Sequence, residues 1–181
     1  MKTSLREILI SALALMVIAG VVTAALAGTN LLTKDTIANR TMQIENAARS
    51  EVIDATDFEK KTVTADGTEF VYYRATKNNE VVGYVFTAVS TGKSSGLTVM
   101  TAISVDGKIT GVKITEDSET AGYVDKIEKA GFLEAFKGNE AKELTDVDAV
   151  SQATKTSNGV VKAVNQAIEW YQWVKGGVGN E

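Results

Sequence analysis

The chain changes its hydrophobic rhythm along its length. From Ile8 to Thr33 no charged residue interrupts a run of Leu, Ala, Val, Ile and Met, and Lys2, Arg6 and Glu7 gather ahead of it. A helix crosses the hydrocarbon core with about 20 apolar residues, and Ile8–Gly28 meets that length. Ala25-Leu26-Ala27 has the small-x-small form of a signal-peptidase site. Signal h-regions, however, run to only about 7–15 residues, so a retained anchor is the reading adopted. Basic residues before a span favour a cytoplasmic N-terminus. The expected organisation is therefore a cytoplasmic stub and transmembrane anchor over residues 1–33, and an extracytoplasmic domain over residues 34–181. Gly20, Ala24 and Gly28 share one helix face at a spacing that permits close approach of a second helix. The Ala- and Gly-rich make-up of spanning helices produces the same spacing without a partner.

After Lys34 the rhythm becomes amphipathic. Ile37, Thr41, Ile44, Ala48 and Val52 recur every three or four residues and predict a helix continuing from the membrane. Two β-rich runs follow, Glu69–Ala75 and Val81–Ala88, around a polar turn at Asn78-Asn79, and predict a hairpin. A second hairpin is expected over Leu97–Thr115 with Asp106-Gly107 at its turn. Helical spacing returns over Asp125–Gly138, with Ile127, Ala130, Leu133 and Phe136 on the apolar side. It returns again from about Asn158 to Trp173, where Val161, Val164, Ile168 and Tyr171 form the stripe. Trp170 and Trp173 close that helix, and packing on the sheet is the role expected for them. The whole predicts an α+β fold: a single N-terminal transmembrane helix followed by an exported domain with an antiparallel sheet and flanking helices.

Composition narrows the chemistry. The 181 residues carry 19 Lys and Arg against 23 Asp and Glu, a net charge of -4, which argues against a nucleic-acid partner. The chain has no Cys and no His, which removes disulfides, thiolate metal sites, Cys catalysis and the Ser/His/Asp hydrolases. No acidic spacing resembles a calcium loop. Redox or group-transfer chemistry would have to come from a bound cofactor. Gly92-Lys93-Ser94 looks like the end of a phosphate-binding P-loop, but Thr87 stands where that motif needs its first Gly, so the segment is read as a loop.

One stretch is unusually polar. In "DAVSQATKTSNGVV", residues 148–161, the hydroxyls of Ser151, Thr154, Thr156 and Ser157 crowd the expected start of the last helix. Ser and Thr are good N-caps. The same place, with free N–H groups and the positive end of the helix dipole, suits a phosphate. Both readings stand on the residues alone. A second polar turn, "SETAGYVDKI", puts Glu119, Thr120 and Gly122 between a strand and a helix, where exposed amides could approach a ligand or where Gly122 simply supplies a positive φ.

The stretch "DAVSQATKTSNGVVKAVNQAI" resembles the flavinylation motif of FMN-binding domains, D-x-x-S-G-A-T followed by Thr or Ser and an apolar helix. "SETAGYVDKI" resembles their E-T-P-G-L-G segment, and the strands before it resemble their double-strand region. With its single N-terminal span, the chain is similar to G subunits of Rnf ion-translocating oxidoreductases. The resemblance implies covalent FMN, joined by a phosphoester to Thr154. Asp148, Ser151, Ala153, Thr156 and Ser157 would stand around it, and Glu119, Thr120 and Gly122 would form the second segment. It further implies a flavin transferase that uses FAD and magnesium during maturation, the membrane subunits of an Rnf-type complex as partners, and electron transfer between ferredoxin and NAD coupled to sodium or proton movement. No catalytic acid, base or metal ligand is expected on the chain.

The departures are specific. Gln152 stands for the usual Gly, Ala121 for Pro and Tyr123-Val124 for Leu-Gly, and the His often found before the Glu is missing. Gln152 would be strained if its position needs a positive φ. Lys126 could bring charge near the flavin or be an ordinary exposed helix residue. Alternatives to the Rnf reading are a stand-alone flavinylated protein of extracellular electron transfer, a pilin-like structural protein, and a non-redox sensor domain.

Overall fold

The computed structural model describes residues 5–119, 122–145 and 147–177. The chain forms two compact units, Met1–Ile44 and Glu45–Glu181. Helix α1, Leu5–Val52, begins in the first and ends in the second. Within the first unit, Ala12–Lys34 is 23 residues long and apolar enough to cross a membrane. Leu13, Met16 and Ile18 are each about two-thirds exposed, and Leu15, Val17, Val21 and Leu26 are exposed as well. A helix that is apolar all round suits lipid rather than water. Gly20 and Gly28 have open space where a Cβ would stand.

The stripe predicted from Ile37 to Val52 forms a packed face only at its end. Thr41 and Ile44 are exposed, Ala48 is half-buried and Val52 is buried; the side chain of Ile37 lies outside the described set. Periodicity marks where a partner could pack, and the sheet supplies that partner only from Ala48 onward.

The second unit is built on a five-stranded antiparallel meander in chain order. Its strands are β1 (Asp57–Ala65), β2 (Thr68–Lys77), β3 (Glu80–Thr91), β4 (Ser95–Ser104) and β5 (Ile109–Glu116). Both predicted hairpins are present. At Asn78-Asn79 the two φ values are 54° and 65°, the paired left-handed geometry that matches strand twist in a two-residue turn. Asp66-Gly67 does the same between β1 and β2, with φ of 48° and 74°. Strand β1 was not expected from its composition. It carries Glu59, Lys60 and Lys61 at an edge and buries only Val63 and Ala65, so its alternation is faint.

The helix expected over Asp125–Gly138 is two pieces. Helix α2 spans Tyr123–Lys129, and Gly131 at φ 66° breaks the chain before a 3-10 turn at Glu134–Phe136. Ile127, Leu133 and Phe136 are buried as predicted. Ala130 is exposed, and Phe132 takes the inward place instead. Helix α3 spans Thr154–Lys175 and starts before the predicted Asn158.

Helix α3 lies across β3 and β4. Val160, Val164, Ile168 and Tyr171 pack with Phe86, Leu97, Val99 and Ile103, while Val161 is half-buried at the margin. Complete burial of such side chains contributes roughly 1.5–3 kcal/mol each. Trp170 stacks on Phe70 with ring centroids 5.0 Å apart, and Trp173 leans on the same ring at 5.9 Å. Both tryptophans therefore pack on the sheet, as expected.

The opposite sheet face receives the end of α1. Val52 and Ile53 join Ala75, Val85, Met100 and Ala102 in a smaller core. Arg49 is buried, its guanidinium 3.4 Å from the Tyr73 ring centroid and bonded to Asn46 and Glu45, both at 2.6 Å. Gly111 permits the approach: a Cβ there would stand 2.7 Å from the Val52 carbonyl oxygen. Thr110 donates its hydroxyl to that oxygen at 2.8 Å.

Gly111→Ala is expected to lower the stability of the second unit by roughly 1–3 kcal/mol, because the obstructing atoms are backbone and cannot turn aside. Urea unfolding of the variant beside wild type measures it, and coincident midpoints would contradict this docking.

Candidate functional site

Three connections meet at one end of the sheet: the β3–β4 turn at Gly92–Ser94, the residues 117–119 that follow β5, and the segment that leads into α3. Two glycines let them close up. A Cβ on Gly92 would stand 2.5 Å from Glu119 Oε1 and 3.0 Å from Thr156 Cα, and one on Gly159 would stand 2.9 Å from Gly92 Cα. The β3–β4 turn thus lies directly on the first turns of α3. Ser90 adds a bond from its hydroxyl to the Gly159 carbonyl, at 2.7 Å.

Glu119 joins the three. Its Oε2 accepts the Lys93 amide at 3.1 Å and the Thr156 hydroxyl at 2.8 Å, and its Oε1 accepts the Ser94 amide at 3.1 Å. Hydrogen bonds to an ionised carboxylate are roughly twice as strong as neutral ones.

The four hydroxyls of the polar stretch are sorted by this packing. Thr156 is fully buried and committed to Glu119. Ser157 is fully buried, donates to the Ala153 carbonyl at 3.1 Å and accepts the Val150 amide at 3.1 Å. Ser151 and Thr154 are exposed. None of the four serves as the N-cap, which corrects the capping reading. Ala153, buried, occupies that position at φ -129° with no side-chain cap bond. The helix begins at Thr154, so Thr154, Thr156 and Ser157 lie inside its first turn and Ser151 lies two residues before the cap position. The first helical bond of α3 runs from the Ser157 amide to the Ala153 carbonyl at 2.9 Å. The amides of Thr154, Lys155 and Thr156 are therefore the donors that the helix itself leaves unused.

The segment before Thr154 takes a left-handed conformation at Gln152, φ 64°. This is the backbone that a Gly would adopt without strain. Gln152 holds it with a bond from Lys126 Nζ to Gln152 Oε1 at 3.1 Å. Gly122, φ 85°, turns the chain into α2. The next residue, Tyr123, accepts a bond from Lys93 Nζ at 2.9 Å, and its ring has Lys93 Nζ at 4.2 Å and Lys126 Nζ at 5.3 Å from the centroid. The Lys93 bond and charge, with help from Lys126, hold the Tyr123 phenol below its ordinary pKa.

Of the sequence-predicted residues, Glu119, Thr156 and Ser157 are bonded in this cluster, Ala153 and Thr154 open the helix that it holds, Gly122 borders it only as the neighbour of Tyr123, and Ser151 is exposed and takes part in none of its bonds. Asp148 is exposed and takes part in none of its bonds. Thr120, with Ala121, lies outside the described residues. Gly92, Gly159 and the Lys93–Tyr123 pair were missed. Gly159 had a signal, because a Gly inside a helix costs about 1 kcal/mol against Ala and invites a packing reason. A groove of about 690 Å³ runs beside α3, lined by residues such as Lys142, Lys162, Asn165 and Glu169, and none of the cluster residues borders it.

Similarity to known proteins covers the same segments. Residues 92–169 match the FMN-binding domain, and residues 1–52 match the RnfG N-terminal region. The chain is 35% identical to the G subunit of the Na(+)-translocating ferredoxin:NAD(+) oxidoreductase complex of Acetobacterium woodii, over 88% of this chain and 89% of that one. It is 31% identical to the G subunit of the proton-translocating ferredoxin:NAD(+) oxidoreductase complex of Clostridium ljungdahlii, over 88% of both chains. It is 30% identical to the G subunit of the ion-translocating oxidoreductase complex of Methanosarcina acetivorans, over 86% of this chain and 90% of that one. The chain belongs to the G-subunit family of ion-translocating oxidoreductase complexes, an RnfG N-terminal region joined to an FMN-binding domain.

Proposed function

We propose that this protein is the membrane-anchored electron-transfer subunit of an ion-translocating ferredoxin:NAD oxidoreductase, and that it carries FMN through a phosphoester to Thr154. The observation that carries the attachment is the sorting of the hydroxyls. Thr154 alone among the four combines exposure with a place on the first turn of α3. The unused amides of Thr154, Lys155 and Thr156 and the positive end of this 22-residue helix suit a phosphate there. No protein group competes for the Thr154 hydroxyl among the described residues.

The chain's own residues then divide the work. Thr154 holds the phosphate. Glu119, Thr156, Gly92 and Gly159 fix the first turn of α3 against the sheet, so the attachment point is rigid. Gln152 and Lys126 hold the left-handed step by which the chain reaches Thr154. Once attached, the flavin supplies the electron-accepting and electron-donating chemistry that side chains without Cys or His do not offer.

The remaining parts of the proposal follow from the anchor and the relatives. Residues 1–33 hold the protein in the cytoplasmic membrane with the N-terminus inside, and residues 34–181 work on the outer side, as the basic N-terminal flank favours. A flavin transferase loads the FMN. The partners are the other subunits of the complex, in keeping with the subunit names of the relatives in A. woodii and C. ljungdahlii.

Attachment is tested by intact mass and in-gel flavin fluorescence of the denatured full-length protein from its host membrane. Wild type and Ser151→Ala are expected to carry one FMN phosphoester, and Thr154→Ala none. Flavin persisting in Thr154→Ala would sink the assignment. Glu119→Ala should cost about 2 kcal/mol in stability, by leaving the Thr156 hydroxyl without its partner. Thermal unfolding would show this as a lowered midpoint, and an unchanged one would remove the clamp from the account.

A further inference from the structure

Beside the start of α3, Tyr123 gathers two lysines whose charges the packing of the core does not use. Tyr123 is half-buried, and Lys93 and Lys126 are exposed. These residues close a circuit around the attachment point. Glu119 holds both Thr156 and the Lys93 amide. Lys93 reaches the Tyr123 hydroxyl, Lys126 stands beside the Tyr123 ring, and Lys126 also holds Gln152, two residues before Thr154. An aromatic surface and two cations therefore stand beside the segment that leads into Thr154.

Tyr123 packs by part of its ring against the main core, and its hydroxyl and the rest of the ring stay within reach of both ammonium groups. Both ammonium groups keep water access, so they can turn from the phenol to another group without stranding a charge. Cations beside an aromatic face attract electron-rich groups as well as the face itself.

We propose that Tyr123, Lys93 and Lys126 form the seat of the flavin ring: the phenol ring is its stacking surface, and the two lysines set its midpoint potential. This rests on attachment at Thr154. Offset stacking on Tyr123 gives the ring one resting place out of the many that a flexible ribityl chain allows. Lys93 and Lys126 then place positive charge beside it and favour the redox state that carries more negative charge, which raises the midpoint potential. The Lys126–Gln152 bond links this seat to the left-handed step before Thr154, so the tether and the ring contact are held by one network.

The test uses the full-length protein, flavinylated in its host membrane and purified, with the flavin load of every variant established by intact mass. Redox titration of Lys93→Met and Lys126→Met is expected to move the midpoint to more negative values, while Lys93→Arg and Lys126→Arg hold it near wild type. Tyr123→Leu should raise flavin fluorescence several-fold by removing an electron-rich ring from contact, and Tyr123→Trp should keep it quenched. Fully loaded variants with wild-type potential and fluorescence would overturn the seat and leave the Thr154 attachment standing. Wild-type protein without the flavin mass would overturn both. Should a lysine variant fail to load, wild type titrated at rising salt decides: screening of exposed ammonium groups draws the midpoint negative, and a midpoint indifferent to salt overturns the role of the lysines.

Discussion

The Glu119 carboxylate ties together three separate connections at one end of the sheet. It accepts two amides from the β3–β4 turn and one hydroxyl from α3, and it stands on the loop after β5. A carboxylate is suited to this because it offers two oxygens and only accepts, so three donors from different directions can converge on one side chain. Gly92 and Gly159 are the steric counterpart, since any Cβ at either position would push the turn away from the helix. The exposure of Thr154 follows from this clamp. With Thr156 drawn in toward Glu119, helical spacing turns Thr154, two residues earlier, outward.

The sheet separates the chemistry from the join to α1. Val52 and Ile53 approach Gly111 and Gly83, near the start of β3, while Gly92 and the start of α3 lie just past its end. At the rise of a β-strand those two places are on the order of 30 Å apart. Each sheet face has its own core, α3 on one side and the last turns of α1 on the other. The meander makes this simple to build, because every strand pairs with its sequence neighbour and every link between strands is a short turn.

Gln152 shows how a departure from a family pattern can be accommodated. A positive φ at a residue other than Gly is uncommon, and Gln lacks the local hydrogen bonds that make Asn or Asp tolerable there. The Lys126 bond to its side-chain oxygen offsets part of that strain and couples the residue to α2. The substitution that the sequence marks as a difficulty is, in the fold, one end of a contact with a lysine whose sequence context alone does not set it apart from any other on a helix surface.

Much of this protein was legible as pattern. The apolar run of the N-terminal helix, the hairpins at Asn78-Asn79 and Asp106-Gly107, and the stripe of Val164, Ile168 and Tyr171 are all local, because burial periodicity and turn chemistry depend on near neighbours. The polar stretch before α3 was visible for the same reason. Strand β1 escaped because an edge strand has only one neighbour to pack on and shows little alternation; the Asp66-Gly67 turn was its one clear mark. The amphipathic stripe through Ile44 overstated packing, since a pattern cannot say where the partner surface begins. Sequence by itself determined which residues crowd the start of α3 and that several hydroxyls were available there. Only the tertiary structure decided which stayed free, because the partner that claims Thr156 is a carboxylate 37 residues away in the chain. A long-range hydrogen bond leaves no period in the sequence.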